Sequence, residues 1–420
     1  MNTMINMVKG NQGRPKLLSN PKRLHLWFKI MFGLFIVVNI FSFTRPFSEG
    51  GQLYFGKFFL IGLIFVLTAV GILTKRKKIW VAKDTRSIFL FFGVWILFMM
   101  ISLFHGSYPV SGGLLVFSYV ILFLLAFVIL PNYIDEKYKW LGYKKTFFWF
   151  VFIAIIISVL WGFSNPDSWY TVEKYQSLFI NPNFLGFFGF FGVIVSTATS
   201  LLSQKRRYLF FIPLYLAIIY FCGSRASLFG VAIFGIVLFC LWLYQKIKVR
   251  EEKMFFNILI FILLLSFFLG SVFMVYTYWE HFYDPAHGIN KFFSLRLFYW
   301  TQALSDLNSY DWFLGQGMGK EGFGTVSYDN FYFNILIQTG ILGLLALIVF
   351  LLTVFYYLFR IFNSLNENYL RRATAISLAM FVAMCTCSLF ESWLFSLGNL
   401  GSIYLWTNLG LCLNHMKEKG

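Results

Sequence analysis

Long apolar stretches alternate with short polar runs along the whole chain. About twelve stretches of roughly 20 apolar residues recur, and each is long enough to cross a bilayer as an α-helix. Helices are the structure such stretches adopt, because backbone groups in lipid must bond within their own segment. The pattern therefore predicts an all-α, polytopic transmembrane protein that forms one membrane domain over residues 1–420. The predicted spans are 24–43, 53–74, 87–104, 113–130, 147–163, 184–203, 208–223, 226–244, 255–278, 331–358, 373–391 and 395–415.

Charge is scarce in this chain and strongly positive. Only 12% of the residues are charged, about half the share found in soluble domains, and 35 Lys and Arg outnumber 17 Asp and Glu. The basic residues lie in loops between the spans, where membrane topology requires them, so their excess does not indicate nucleic-acid binding. With the N-terminus inside, 27 of them fall in inside segments, 7 in outside segments and Lys29 in the first span. This alternation predicts that both termini are cytoplasmic and that the number of spans is even.

One large loop, residues 279–329, is predicted to lie outside the cell. Within it, residues 294–307 place apolar side chains close to helical spacing, which predicts an amphipathic helix on the membrane face. The run Gly315-Gln-Gly-Met-Gly-Lys-Glu-Gly322 is predicted to be a loop. It follows no strand, so it does not indicate a dinucleotide-binding fold.

Ionisable residues near membrane depth are costly, so the few in this chain are functional candidates. Arg225, Arg296, Asp329 and Glu391 all fall at the outer face in the predicted topology. Each also has a structural alternative. Arg225 could snorkel from a helix end, Arg296 could be a solvated charge, and Glu391 could pair structurally with a basic residue.

Two asparagine-containing turns precede predicted spans. Asp329 followed by Asn330 suits the N-cap of the next span, a role that does not exclude catalysis for Asp329. Asn181-Pro-Asn183 is most simply a turn and cap before Phe184.

Two arginines and a carboxylate at one membrane face suggest a particular chemistry. Guanidinium groups suit phosphate oxygens, and a carboxylate can accept the proton of a reacting hydroxyl. Transfer of a sugar from a polyprenyl-diphosphate carrier to an acceptor hydroxyl would use both. No Asp-x-Asp motif or His cluster indicates a metal, and we expect no cofactor because the lipid-linked donor already carries the energy.

Four stretches, read together with their order and spacing, resemble the bacterial O-antigen polymerase and O-antigen ligase superfamily of GT-C-type membrane glycosyltransferases. They are Asn181-Pro-Asn-Phe-Leu-Gly186, Gly223-Ser-Arg-Ala-Ser227, the loop from Arg296-Leu-Phe-Tyr-Trp300 through Gly315-Gln-Gly-Met-Gly319, and the segment from Asp329-Asn-Phe-Tyr-Phe-Asn334 to Gly343. The helix count and the large late outer loop are also similar to the family pattern.

The resemblance implies that Arg225 and Arg296 bind the lipid diphosphate and that both, with Asp329, take part in catalysis. Glu391, Asn330 and Asn183 are further candidate substrate-binding residues, and Glu391 is chosen for its position at a span end. The resemblance also implies a GT-C-like fold in the bacterial cytoplasmic membrane, with polyprenyl-diphosphate-linked glycans as donor and acceptor. A flippase and a chain-length regulator are further implied partners. The ligase branch carries a His before the Asn at the head of the span after the loop. Asp329 stands there in this sequence, which favours the polymerase branch.

Three functions remain open from the sequence. The first is polymerisation of lipid-linked repeat units into a capsule, exopolysaccharide or O-antigen chain. The second is ligation, in which an O-antigen ligase or oligosaccharyltransferase moves a finished glycan to another acceptor. The third, from a different class, is a membrane transporter or lipid flippase. The clustering of candidate charges at one face beside one loop favours an enzyme, because transporters hold charges at mid-membrane.

Overall fold

The computed structural model describes most of the chain from residue 85 to 248 and from residue 296 to 414. The described ranges are 85–134, 137–165, 170–171, 174–179, 181–248, 296–319, 329–365, 367–396 and 399–414, with scattered positions between 30 and 70. Within them the chain is almost entirely helical, which confirms the predicted all-α class. The described exception is a short antiparallel hairpin, β1 (Tyr170–Thr171) with β2 (Lys174–Tyr175).

The helices named below are given in chain order. They are α1 (Arg86–His105), α2 (Pro109–Tyr133, with a π-helical turn at Leu125–Ile129), α3 (Lys137–Ser164), α4 (Pro182–Ser203), a 3-10 helix (Arg206–Phe211), α5 (Ile212–Phe221), α6 (Arg225–Lys248), α7 (Arg296–Ser305), α8 (Ser309–Leu314), α9 (Phe331–Ser364), α10 (Asn368–Cys387) and α11 (Leu400–Asn414).

Seven of the described helices are long and apolar enough to cross a membrane, namely α1, α2, α3, α4, α6, α9 and α10. They make the chain a multi-pass α-helical membrane protein. The predicted spans 24–43 and 53–74 lie mostly outside the described residues, and the span 255–278 and residues 279–295 of the predicted loop lie wholly outside them. The count of twelve spans and the orientation of the termini stay predictions.

Two predicted spans differ from the described helices. The span at 208–223 is a six-residue 3-10 helix followed by the ten-residue α5. Their combined length is roughly 27 Å, slightly less than the hydrocarbon core. In the described part of the predicted span 395–415, the helix begins at Leu400. Before it, the carbonyl of Leu394 accepts hydrogen bonds from the Ser402 hydroxyl and the Trp406 indole.

Helix α4 is the most buried of the candidate spans, with 89% of its apolar window inside the protein. Its glycines allow neighbouring segments to approach closely. A Cβ built at Gly186 would lie 2.3 Å from the Cβ of Ser224, in the turn between α5 and α6. Small residues provide such close contacts between membrane helices, where lipid is as apolar as the helix surfaces. The sequence Gly186-Phe-Phe-Gly189 therefore fixes the turn before Arg225 against the start of α4.

Helix α9 is interrupted at Gly340, which has φ +66° and ψ −173°. The carbonyls before the break accept hydrogen bonds from the loop after α8. The Gln316 N–H donates to the Ile337 carbonyl at 2.7 Å, and the Gly317 N–H donates to the Gln338 carbonyl at 3.3 Å. The Ser102 hydroxyl of α1 also donates to Gln338 O. The glycine loop at 315–319 thus supplies bonds that a continuous helix would have made internally.

Gly340→Ala is expected to destabilise the protein. The new Cβ would lie 2.2 Å from the Phe313 carbonyl oxygen, and the backbone conformation itself costs an L-residue on the order of 1–3 kcal/mol. The measurement is the thermal unfolding midpoint of the detergent-purified full chain. Gly93→Ala is the matched control, because a Cβ at Gly93 meets nothing within 4 Å. Equal unfolding midpoints for the two variants would show that the glycine at the helix break is not needed for stability.

Candidate functional site

Several helix ends meet at one end of the molecule. The N-termini of α4, α6, α7 and α9 carry Asn183, Arg225, Arg296 and Asp329. The irregular segment after α10 carries Glu391. The sequence predicted that Arg225, Arg296, Asp329 and Glu391 would share the outer face, and the structure brings these four residues and Asn183 into one cluster.

Arg296 lies at the centre of the cluster. Its Nη1 donates to the backbone carbonyl of Phe390 at 2.8 Å, and its Nη2 donates to Asp329 Oδ2 at 3.2 Å. Nη2 also lies 3.6 Å from Glu391 Oε1. These contacts with described residues use at most three of the five N–H donors of a guanidinium. The Arg296 side chain is 18% exposed, so it lies mostly within the cluster.

Glu391 is the buried carboxylate of the cluster, with a side chain only 10% exposed. The Asn183 amide nitrogen Nδ2 donates to Glu391 Oε1 at 3.0 Å. Burial raises the pKa of Glu391 to about 8, while the neighbouring Arg296 charge opposes that rise. The negative charge of Asp329 raises the pKa of Glu391 further. Glu391 therefore carries a proton at neutral pH and becomes an anion above about pH 8.

The adjacent residues Asp329 and Asn330 have different roles, one in the ionic cluster and one in capping α9. The Asn330 side chain accepts a hydrogen bond from the Phe333 N–H at 2.9 Å and is the N-cap of α9. The predicted cap is therefore Asn330, and Asp329 instead contacts Arg296. Asp329 has φ +46°, a left-handed conformation that Asp tolerates better than most residues. Its side chain is 43% exposed, so it is the most accessible carboxylate of the cluster.

Arg225 is an exposed residue that begins α6. It lies close enough to Arg296 for the two positive charges to repel each other. The preceding turn is held by Ser224, whose hydroxyl donates to Ser227 Oγ at 2.8 Å, and by its contact with Gly186. The carbonyl of Ala226 further accepts a bond from the Cys387 thiol at 3.3 Å. These contacts of the turn fix the backbone of Arg225 at the start of α6.

Two features of the cluster were not predicted. One is the Phe390 carbonyl, which anchors Arg296, and the other is Ser392, whose hydroxyl accepts from the Asn334 amide at 3.0 Å. Both lie in the segment Ser388–Ser396, which the sequence divided between two spans. The sequence feature that could have revealed this segment is the group of polar residues Ser388, Glu391 and Ser392 at a predicted span boundary. Such a polar run alone does not distinguish a span end from irregular backbone, because the hydrogen-bonding partners of the segment cannot be identified from the sequence.

The cluster is suited to bind a phosphorylated anion. The cluster contains two guanidinium groups, the exposed Asp329 and the buried Glu391, whose anionic form is disfavoured by burial. The described residues contain no group of three His, Cys, Asp or Glu side chains placed to hold a metal ion. The chemistry available from these side chains is charge neutralisation by arginine and proton acceptance by a carboxylate.

Fold and site together define a multi-pass membrane protein with an ionic cluster at one end of its helices. Residues 209–348, a third of the chain, match the model of the O-antigen ligase family. The match confirms the predicted resemblance to the O-antigen ligase and polymerase superfamily, whose members are membrane glycosyltransferase-like enzymes. Arg225, Arg296 and Asp329 lie in the matched range. The chain matches no curated protein.

The raised pKa of Glu391 predicts a pH-dependent stability. Between the ordinary value of 4.5 and about 8, the folded state binds a proton that the unfolded state releases. This contribution to stability is therefore complete below about pH 4.5 and is lost as the pH rises through 8. Relative to Glu391→Gln, the wild type should lose thermal stability between pH 6 and pH 9. The measurement is the unfolding midpoint of both proteins across that range.

Glu367→Gln is the matched control for this comparison, because it removes a carboxylate at the opposite end of α10. It should keep the wild-type slope. Parallel curves for the wild type and Glu391→Gln would contradict the assignment of the proton to Glu391.

Proposed function

We propose that the protein is a membrane glycosyltransferase that polymerises polyprenyl-diphosphate-linked oligosaccharide repeat units. Its product would be a capsule, exopolysaccharide or O-antigen chain made at the outer face of the bacterial cytoplasmic membrane. The observation that carries the proposal is the position of Arg296, which contacts Asp329 and Glu391 and lies near the charge of Arg225.

Arg225 and Arg296 bind the diphosphate of the donor in this proposal. Two adjacent cations repel each other, so an anion between them removes that repulsion and gains charge-assisted hydrogen bonds. When the bond between the anomeric carbon and the diphosphate oxygen breaks, negative charge grows on the leaving group. The two guanidinium groups stabilise that charge, which supports transfer without a metal.

Asp329 is the proposed general base. The acceptor hydroxyl oxygen forms a bond to the anomeric carbon, and its proton passes to the Asp329 carboxylate and then to solvent. The exposure of Asp329 supports this role over Glu391, which is buried and protonated at neutral pH. Glu391, Asn183 and Asn330 keep supporting roles, by orienting Arg296 and the start of α9 around the substrates.

Donor binding and base activation are coupled through Arg296. In the structure its Nη2 donates a hydrogen bond to Oδ2 of Asp329, so this carboxylate oxygen is already engaged as an acceptor. A diphosphate oxygen that takes over Nη2 would release Asp329 to accept a proton. The base would then be available mainly when a donor is bound, which would limit hydrolysis of the donor by water.

The proposal includes the membrane arrangement predicted from the sequence. The site faces outward, both termini are cytoplasmic, about twelve spans form one GT-C-like membrane domain, and residues 279–329 form the outer loop. The donor and the acceptor are lipid-linked glycans held in the membrane lipid, and a flippase and a chain-length regulator are the proposed protein partners. No cofactor or nucleic acid takes part.

Ligation is the second candidate, because the matching family is described as O-antigen ligase. In that case an O-antigen ligase or oligosaccharyltransferase would transfer a finished glycan through the same arginines. Asp329 stands where the ligase branch resembled by this sequence carries a His, and this difference supports polymerisation. Transport by a carrier or flippase is less well supported, since the charges of the cluster lie at helix ends.

The three central residues are expected to be required for polysaccharide assembly. In a host deleted for its own copy, Arg225→Ala and Arg296→Ala should each reduce chain formation on the order of a hundredfold, through loss of charge stabilisation. Asp329→Asn should reduce it by roughly a hundredfold or more, because the amide keeps the shape and the left-handed backbone but cannot accept the proton. Lipid-linked glycans and surface polysaccharide are compared on gels at equal membrane levels of each protein.

The distribution of products separates the candidates. Single repeat units that accumulate on the lipid, with loss of the ladder, support the polymerase. Full-length ladders that remain on the lipid indicate a ligase. Unchanged ladders in all three variants would reject glycosyl transfer and favour a transporter. Arg206→Ala is the matched control, since Arg206 is an exposed arginine at the other end of α4, and it should leave the ladder intact.

A further inference from the structure

A cleft of about 770 Å³ lies at the end of the helix group away from the ionic cluster. Helices α4, α6 and α10 form it with their ends: the C-terminal parts of α4 and α6 and the N-terminal part of α10. The described lining residues are Leu201, Gly235, Leu238, Phe239, Trp242, Gln245, Lys246, Asn368, Arg371, Arg372 and Ala375. One part of this lining is apolar and the other is basic.

The basic part of the cleft consists of three side chains. Lys246, Arg371 and Arg372 contribute three positive charges, and none of the described lining residues is acidic. Two of the cations are oriented by neighbours. The Arg371 guanidinium donates to Asn368 Oδ1 at 2.7 Å, and the Lys246 ammonium lies 5.9 Å from the Trp242 ring centroid. Basic residues at span ends occur wherever topology requires them, but here they surround a cavity.

The apolar part of the cleft is open to the outside. Phe239 and Trp242 are 47% and 50% exposed, and Leu238 and Leu201 continue the same wall. Gly235 widens this wall, because a Cβ built there meets nothing within 4 Å. A cleft lined by apolar side chains and three cations matches acyl chains joined to an anionic headgroup.

The length of α6 places the cleft relative to the bilayer. Arg225 and Lys246 lie at its two ends, and 21 residues of α-helix rise roughly 32 Å. This is about the thickness of the hydrocarbon core. The ionic cluster and the mouth of the cleft therefore lie at opposite surfaces of the membrane, and in the predicted topology the cleft opens to the cytoplasmic leaflet.

We propose that this cleft is a binding site for an anionic phospholipid of the leaflet opposite the ionic cluster. The phosphate headgroup contacts Lys246, Arg371 and Arg372, and the acyl chains lie along Phe239 and Trp242. The bound lipid joins α4, α6 and α10, whose other ends carry Asn183, Arg225 and Glu391. The site is independent of which glycosyl transfer the cluster performs.

The test measures lipid retained by the full chain after purification in detergent. Phosphatidylglycerol or phosphatidylcholine with the same acyl chains is added, and native mass spectrometry counts the bound lipids. The wild type should retain phosphatidylglycerol in preference to phosphatidylcholine. The triple variant Lys246→Gln, Arg371→Gln, Arg372→Gln should bind it more weakly by roughly a hundredfold, at about fivefold for each cation near the membrane surface.

A second variant tests the cleft without changing charge. Gly235→Phe fills the apolar wall and leaves all three cations, and it should also abolish the preferential retention. Its control is Gly93→Phe, on the exposed surface of α1, where a Cβ likewise meets nothing within 4 Å. The control for the charge variant is Lys205→Gln, Arg206→Gln, Arg207→Gln, which removes three exposed cations between α4 and α5.

Loss of retention in both cleft variants, with both controls unchanged, supports the lipid site. Equal retention of phosphatidylglycerol by the two triple variants would overturn the proposal. It would show that lipid binding depends on the total charge at that surface and not on the cleft. Unchanged retention by Gly235→Phe would overturn it as well. A further arm uses soluble glycerophosphoglycerol in place of the lipid: if it raises the thermal midpoint of the wild type as much as phosphatidylglycerol does, the site binds a free phosphate and not a lipid.

Discussion

The break in α9 at Gly340 is the constraint on which the arrangement of the site depends. In a membrane protein the carbonyls freed by such a break need other donors, and Gln316 and Gly317 supply them from the loop after α8. The loop is held in turn by α1, where His105 Nε2 lies 3.0 Å from the Gly315 carbonyl oxygen. Because α7, α8 and this loop are continuous in sequence, fixing the loop to α9 also limits where Arg296 can lie. The distance from Arg296 to Asp329 follows from this attachment.

The ionic cluster is built on irregular backbone, which needs its own support. The described residues of 388–399 form no regular helix, yet most of them are buried. Its carbonyls are used: Ser388 O accepts from the Phe331 N–H at 2.9 Å, and Leu394 O accepts from Ser402 and Trp406. Phe395 then packs 4.3 Å from Trp406, measured between ring centroids. A segment tied at so many points can hold a buried Glu391 next to Arg296 without regular secondary structure.

The sequence alone predicted the helical class and the residues of the cluster, because both follow from the distribution of apolar and charged residues along the chain. An apolar chain contains few ionisable residues, and the alternation of basic loops orders the helix ends, so Arg225, Arg296 and Glu391 could be assigned to one face. The break at Gly340 could not be predicted in this way. Its neighbours are apolar, so hydropathy describes 331–358 as one continuous span, and the donors that replace the lost bonds lie more than 20 residues away in the loop. The hydrogen bond from Arg296 to the Phe390 carbonyl could not be predicted either, because every residue has a backbone carbonyl and the sequence does not show which one is bound.

The adjacent pair Asp329 and Asn330 shows how a structural explanation and a functional one can be separated. Both side chains suit an N-cap, and a single cap satisfies the exposed N–H groups at the start of α9. Asn330 makes the capping bond, so capping does not explain Asp329. Asp329 adopts a left-handed backbone conformation that costs an L-residue roughly 1 kcal/mol or more, and this conformation accompanies the contact of its carboxylate with Arg296. A strained residue whose side chain is half exposed and meets the central cation is better explained by the chemistry of the site than by the stability of the helix.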